Sequence, residues 1–280
     1  MSDLSYINLR NDVVFKYIFG YEKNEKLLIA LLNALLGLEG SEKIVKLTFL
    51  NAFNIKEYLN DKLTSLDVKV EDNTGKRFNV EMQVRSDSDF INRVLYYNDK
   101  LFTGQLKQAE PFEELNKTIS ISILNFILLD FEADLHNTYR FLNIKSKKEL
   151  TDLKEIHFIE LPKFKEDKPR KNQSKIEKWL HILKFGELYT TDLNSIPEAL
   201  KEEEEIVMVL HEMVRASNDD LIREIMEMRE KGRHEEASRL YQAERKWKME
   251  TARNLLTMDL PLEKISQATG LNIEEIKKLV

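Results

Sequence analysis

The chain has 280 residues, 42% of them hydrophobic and 33% charged, enough length and apolar content for one sizeable core with a smaller unit appended. It contains no cysteine, which excludes a disulfide framework, a thiolate zinc site and a thiol nucleophile, and fits a reducing compartment. A formal net charge of −6 argues against a protein that coats nucleic acid through a general excess of Lys and Arg, while leaving room for a local basic cleft.

The start "MSDLSYINLRNDVVF" lacks a basic segment followed by an apolar one, and the most apolar run, "ISISILNFILL" at 119–129, is too short to span a bilayer. The expectation is a cytoplasmic protein with no membrane segment. Residues 11–36 place Val14, Phe15, Ile18 and Phe19 at helical spacing, break near Gly20 and resume from Asn24, which predicts two helices or one kinked helix. "KIVKLTFLN" (43–51), "SLDVKVE" (65–71), "RFNVEMQVR" (77–85) and "KTISISILNFILL" (117–129) alternate or are rich in β-branched residues, and so predict strands. Between the last two, 86–108 carries Phe90, Val94, Tyr97 and Leu101 on one stripe behind Ser86 or Ser88 as N-cap, which predicts an amphipathic helix. The order is helix, three strands, helix, strand, an α/β arrangement with a mixed sheet, and its last connection is long enough for a crossover.

A further extended segment, "EIHFIELPKF" (155–164), precedes the charged stretch "KEDKPRKNQSK" (165–175), the best linker candidate. The expected division is 1–165 as the main domain, 166–175 as linker and 176–280 as a helical region. In that region Ser195 can cap a helix with Pro197 near its first turn, and the Glu202 to Glu205 run reads as a solvated helix face. Residues 219–256 read as one long charged helix with a discontinuous apolar stripe through Ile222, Ile225, Met226, Leu240, Ala243 and Trp247. The tail 262–280 has a Gly270 break followed by Asn272 and Glu275 as a capping box, which gives a helix-turn-helix outline. Its second helix leads with two glutamates, a poor face for phosphates, so packing or oligomerisation is expected of it.

The stretch "LDVKVEDNTGKRFNVEMQV" (66–84) carries the chemistry. Asp72-Asn73-Thr74-Gly75 suits a type I turn followed by Gly75 in the left-handed region. That turn pairs Glu71 with Arg77, Val70 with Phe78, Lys69 with Asn79, Val68 with Val80, Asp67 with Glu81, Leu66 with Met82 and Ser65 with Gln83. One face is then wholly apolar, and the other sets Asp67 against Glu81, an unfavourable pairing of like charges unless something neutralises it. A hard divalent cation does so with oxygen ligands alone and can acidify a water for attack on a phosphodiester. A solvated hairpin face with Lys69 as charge partner answers the same pattern, and for so short a motif it is the commoner outcome.

Four stretches together resemble the PD-(D/E)XK superfamily of metal-dependent nucleases, and within it the nuclease family transposases, or Rpn-type recombination-promoting nucleases. They are "NDVVFKYIFG" with Asp12, Phe15, Lys16 and Phe19; "LDVKVED" with Asp67; "NVEMQ" with Glu81 and Gln83; and "RVLYYNDKLFTGQL" with Arg93, Tyr96, Tyr97, Gln105 and Leu106. "IHFIELPKF" and the tail from Ala252 also look like that branch, so the likeness spans nearly the whole chain. It implies a restriction-endonuclease-like αβββαβ core, DNA as substrate, and Mg2+, or Mn2+ or Ca2+, held by Asp67, Glu81 and the Met82 carbonyl. Gln83 stands where the superfamily more commonly has Lys, and being neutral it can position a water or a phosphate oxygen without supplying a cation. Lys69, from its spacing on the same face, or Lys16 on the first helix is the candidate for the missing charge. Ala109 and Phe112 depart from the branch, which more often looks like Gly and Tyr there.

Other residues divide between roles. Asp12 is either an additional ligand or a helix-start charge; Arg93 contacts a phosphate, Glu81 or a helix end; Tyr97 and Tyr96 read as core and groove residues more readily than as base-stacking platforms. His136, His157, His181, His211 and His234 stand apart without ligand spacing. No phosphate-binding Gly-rich loop or nucleophile elbow is present. The expected function is a divalent-metal-dependent DNA endonuclease, with a possible homo-oligomer through the C-terminal helices; the alternative is a catalytically inactive DNA-binding or assembly protein that retains the fold.

Overall fold

The structure is a computed structural model that describes residues 7–51, 67–167, 169–170 and 173–279. Helix α1 (Asp12–Phe19) begins where the Asn11 side chain accepts from the backbone N–H groups of Val13 and Val14, and Val13 through Phe19 are all buried. It ends at Gly20, and α2 (Glu25–Leu36) follows a short 3-10 turn and closes on Gly37 at φ +63.

β1 (Leu47–Phe49), β2 (Val68–Asp72) and β3 (Arg77–Gln83) are antiparallel neighbours, and α3 (Phe90–Thr103) crosses to β4 (Thr118–Leu124), parallel to β3. The αβββαβ order of the sequence is present. The sheet goes further than expected: β5 (His136–Leu142) and β6 (Glu149–Glu160) form a hairpin whose β6 lies parallel to β4, giving the order β1-β2-β3-β4-β6-β5. Only the buried half of β6 stands out in the sequence as an extended segment, because β5 is an edge strand whose outward half is exposed and so lacks an apolar alternation.

Residues level in the ladder share a face. Val68, Val70, Phe78, Val80, Met82, Ile119, Ile121 and Ile123 are buried on one face, and α1 packs there against β3. On the other, α3 buries Phe90 and Val94 against Leu124, Leu129 and Phe158. The α3 stripe continues through Asn98, fully buried, and not through Tyr97, which is 44% exposed. Its N-cap position is Asp89, with no side-chain bond, in place of Ser86 or Ser88.

Helix α4 (Lys175–Phe185) starts with a reciprocal Ser174–Glu177 capping box, and α4 and α6 (Glu204–Ser217) pack on α2. Pro197 occupies the N-cap of the short α5 (Glu198–Lys201), so Ser195, held in a 3-10 turn, does not cap it. The glutamate run breaks between α5 and α6, because the buried Lys178 ammonium draws in Glu202 at 2.9 Å and Glu203 at 3.6 Å.

By internal contacts the chain divides into Met1–Arg223 and Glu224–Val280, a division that falls inside α7 (Asp220–Leu256). The second unit has its own core of Ala252, Ile265, Leu271 and Ile276 between α7, α8 (Leu262–Thr269) and α9 (Ile273–Lys277). Gly270 at φ +71 ends α8, and Asn272 and Glu275 cap α9 reciprocally. Among the described residues no helix is long and apolar enough to cross a membrane.

Candidate active site

The β2–β3 turn is built as its residues dictate. Gly75 takes φ +85, Asp72 N–H donates to the Lys76 carbonyl at 2.9 Å, and the Asp72 carboxylate accepts from the Thr74 N–H and hydroxyl and the Lys76 N–H. That sets Glu71 against Arg77, Val70 against Phe78, Lys69 against Asn79 and Val68 against Val80, with Arg77 Nε donating to Glu71 at 2.8 Å. The ladder ends there: Asp67, expected opposite Glu81, lies just outside β2 and is not part of the pairing, and Leu66 and Ser65 lie outside the described residues.

Asp67 directly precedes β2 and is 7% exposed. Its carboxylate pairs with Lys69 Nζ at 3.0 Å, and its backbone carbonyl accepts from Lys16 Nζ at 2.5 Å and from Asn51 Nδ2 at 3.1 Å. Asn51 also accepts from Lys69 N–H at 2.7 Å, so one amide side chain fixes both residues. Glu81, half-buried on β3, accepts from the Ser122 hydroxyl at 2.9 Å, with Ser122 level with it on β4. Burial pushes the Glu81 carboxyl above its ordinary value; the Ser122 hydrogen bond opposes this, the Asp67 charge adds to it, Arg93 opposes it and Asp87 adds to it. The two acids are thus neighbours in charge.

Lys16, the kind of residue that a helix surface usually leaves in solvent, is 2% exposed. Burial lowers its pKa to about 8 against the opposing charge of Asp67, with Lys69 lowering it further. Gln83 donates from Nε2 to the Arg85 carbonyl at 3.0 Å. The Met82 side chain lies on the buried apolar face, which leaves only its main chain for the polar side. Arg93 donates to the Asp87 carboxylate at 2.8 Å, with both side chains exposed, and it acts on Glu81 through its charge. Tyr97 and Tyr96 are exposed, edge to face at 5.4 Å, with Lys69 Nζ 5.8 Å from the Tyr97 ring centre; neither is a core residue. Asp12 stays at the start of α1, where its carboxylate accepts from Val13 N–H at 3.0 Å. Among the described residues no group of three or more His, Asp or Glu is arranged to hold a metal ion.

Ser122, Asn51 and Asp87 join the site without having been expected there. Ser122 has a signal in the sequence, since Thr118, Ser120 and Ser122 form a period-two polar row in an otherwise apolar strand. Asn98 donates to Ser120 at 2.9 Å in that row. On the opposite face, β5 and β6 bring together His136 and His157, which stand far apart in sequence: Nε2 to Nδ1 is 2.8 Å, and His157 Nε2 meets Glu155 at 2.6 Å. Lys117 at 3.0 Å and Arg140 at 2.5 Å complete the pairing of Glu155 beside a cavity of about 470 Å3.

A family model described as PD-(D/E)XK nuclease family transposase matches residues 9–243. No curated protein matches the chain, and no solved structure does.

Proposed function

Because the chain belongs to the PD-(D/E)XK nuclease family transposases, we propose that it is a divalent-metal-dependent DNA endonuclease that hydrolyses phosphodiester bonds in a recombination, mobile-element or defence setting. The observation that carries this reading is the Asp67–Glu81 neighbourhood: Asp67 immediately before β2 and Glu81 on β3, each one residue past the Val68–Val80 pair, with Glu81 pushed up first by burial and further by the charge of Asp67. An acid pair with Asp67 buried and Glu81 half-buried favours a cation, and its donor set of carboxylate and carbonyl oxygens fits Mg2+, with Mn2+ or Ca2+ as substitutes, in a site completed by waters and substrate phosphate. Asp67, Glu81 and the Met82 carbonyl would hold the ion, which supplies an acidified water and charge for the leaving oxygen.

The remaining roles belong to the chain itself. Lys69, partly exposed and 3.0 Å from the Asp67 carboxylate, presents its ammonium to a bound phosphate. Lys16, buried on the Asp67 carbonyl, is a positioning residue that fixes where the carboxylate starts. Gln83 has its amide N–H engaged by Arg85, so Oε1 is left to accept from a water and orient it. Arg93 and Tyr97 border the acids and meet substrate, Arg93 through a phosphate and Tyr97 through its exposed ring.

The test is nicking of supercoiled plasmid with Mg2+ or Mn2+ and with chelator. Asp67→Ala and Glu81→Ala should each reduce nicking by at least about 100-fold, the scale of removing a group that acts in the transition state. Activity that survives both changes sinks the assignment. A catalytically inactive DNA-binding or assembly protein is favoured by one observation: Lys69 already neutralises Asp67, and among the described residues no third carboxylate or imidazole is arranged with the pair to hold a metal ion. A parent chain inert with both ions supports that reading. The exposed Leu240, Tyr241 and Trp247 on α7 support a homo-oligomer through the C-terminal helices under either reading, and light scattering on the full chain tests it.

A further inference from the structure

The β5–β6 hairpin runs on past the rest of the sheet. β4 begins level with Lys154, so residues 149–153 of β6 pair only with β5. The turn is braced: Asn143 N–H donates to the Lys148 carbonyl at 2.8 Å, Lys147 N–H to the Asn143 carbonyl at 2.9 Å, and Asn143 Oδ1 accepts from the N–H groups of Lys145 at 3.0 Å and Ser146 at 2.9 Å. Lys147 itself takes φ +56, so the tip has a defined shape. It carries Lys145, Lys147 and Lys148, all exposed and without an ion pair among the described residues, while the nearest acid, Glu149, faces Arg140 at 3.6 Å. Beside them Ile144 is 87% exposed, Leu150 80%, Phe141 51% and Leu142 49%.

In a chain of net charge −6, this is a local cationic tip interleaved with uncovered apolar side chains. Such side chains grouped on a protruding ribbon mark a surface that is covered in use. We propose that the β5–β6 hairpin is a docking ribbon for duplex DNA, with Lys145, Lys147 and Lys148 on phosphates and Ile144 and Leu150 against the groove wall. Charge complementarity selects this occupant: three ammonium groups cluster at the tip, with Glu149 turned to Arg140 and Asp152 four residues beyond Lys148, and so match a polyanion. A two-stranded ribbon also has the width that a major groove about 12 Å across admits. The inference rests on the nuclease reading for its choice of DNA, but the ribbon is separate from the acid pair. Phe158, level with Ser122 and hence with Glu81, stands nine residues along β6 from Glu149, roughly 30 Å at strand rise. The lysines therefore act on affinity, and the scissile phosphate is beyond their reach.

The experiment uses the full chain, a labelled duplex of about 30 base pairs in EDTA between roughly 50 and 200 mM salt, and anisotropy as the readout. Replacing the three lysines together (Lys145→Glu, Lys147→Glu, Lys148→Glu) should weaken binding at least tenfold and lower the log–log salt slope by about 2 to 3, near 0.9 for each phosphate left without its lysine. The pair Ile144→Ser and Leu150→Ser should weaken binding about threefold with the slope unchanged, and both variants should keep the parent melting temperature. Single-turnover cleavage at saturating DNA should match the parent. Equal affinity and slope in parent and charge-reversed chains overturns the proposal, and if that parent still nicks plasmid the nuclease reading stands. A parent that binds duplex through these lysines yet never cleaves with any divalent ion sinks the nuclease reading and leaves the ribbon in place. Lysine-dependent capture by phosphatidylserine vesicles without lysine-dependent duplex binding overturns DNA as the occupant.

Discussion

Ala109 sits at φ +68, in the left-handed region where a Cβ meets the following carbonyl, at a cost of about 1 to 2 kcal/mol. Glycine takes that conformation without strain, so the backbone here favours glycine over the alanine present. Ala109→Gly should therefore stabilise the protein, by about 0.5 to 1 kcal/mol once the greater freedom of glycine in the unfolded chain is offset, read as a higher urea midpoint at unchanged slope. A lower midpoint would mean that the loop is shaped by its packing and not by φ. At this scale legibility tracks locality. Gly75, Asn272 and Glu275 do what their neighbours demand of them, because a turn or a cap is decided within four residues. Lys16 is not legible as a buried residue: α1 is closed off on all sides by elements far along the chain, and only the assembled fold puts the Asp67 carbonyl within 2.5 Å of its ammonium.

Among the elements, the hairpin register is readable and the edge of the sheet is not. The turn at Gly75 ties β2 to β3 through local loop chemistry, whereas pairing β5 with β6 requires knowing which part of "HNTYRFL" faces solvent. That pairing creates the Glu155–His157–His136 chain, and with it a pH dependence. Burial alone raises the Glu155 carboxyl, but the hydrogen bonds and charges of His157 and Lys117 outweigh it and bring the pKa to about 2. A depressed carboxylate contributes stability that is present above the unfolded value near 4.5 and lost as pH falls toward 2, on the order of 3 kcal/mol at most and less where water screens the pairs. His136, lowered to about 4 first by burial and then by His157, acts in the same direction: the unfolded chain binds its proton between pH 6.5 and 4, so folding weakens on acidification there too. Urea titrations at about pH 7, 5 and 3 should show stability falling through both windows, and Glu155→Gln should be destabilised near pH 7 and flatten the fall below about pH 4.5. A Glu155→Gln curve parallel to the parent's would place the acid sensitivity elsewhere.

On the scale of the whole molecule, the family match covers 9–243, while the packing divides the chain within α7, and each unit is closed by a core of its own. The second core is small: Ala252, Ile265, Leu271 and Ile276 are its buried residues, so each carries a large share of that unit's burial. Ile265 is fully buried in it, and truncation removes both its transfer free energy and the support of its neighbours, about 2 to 4 kcal/mol. The acid pair and its supports, Lys16, Asn51, Lys69 and Ser122, all lie in the first unit and, among the described residues, share no partner with Ile265. Mutational effects at sites without shared partners add independently. Ile265→Ala should thus speed amide exchange through 252–279 while the amides of β3 and β4 keep the parent rates, and plasmid nicking per folded molecule should stay within about twofold. If exchange in β3 and β4 accelerates together with the tail, the two units unfold as one cooperative body and the assignment of separate cores is wrong.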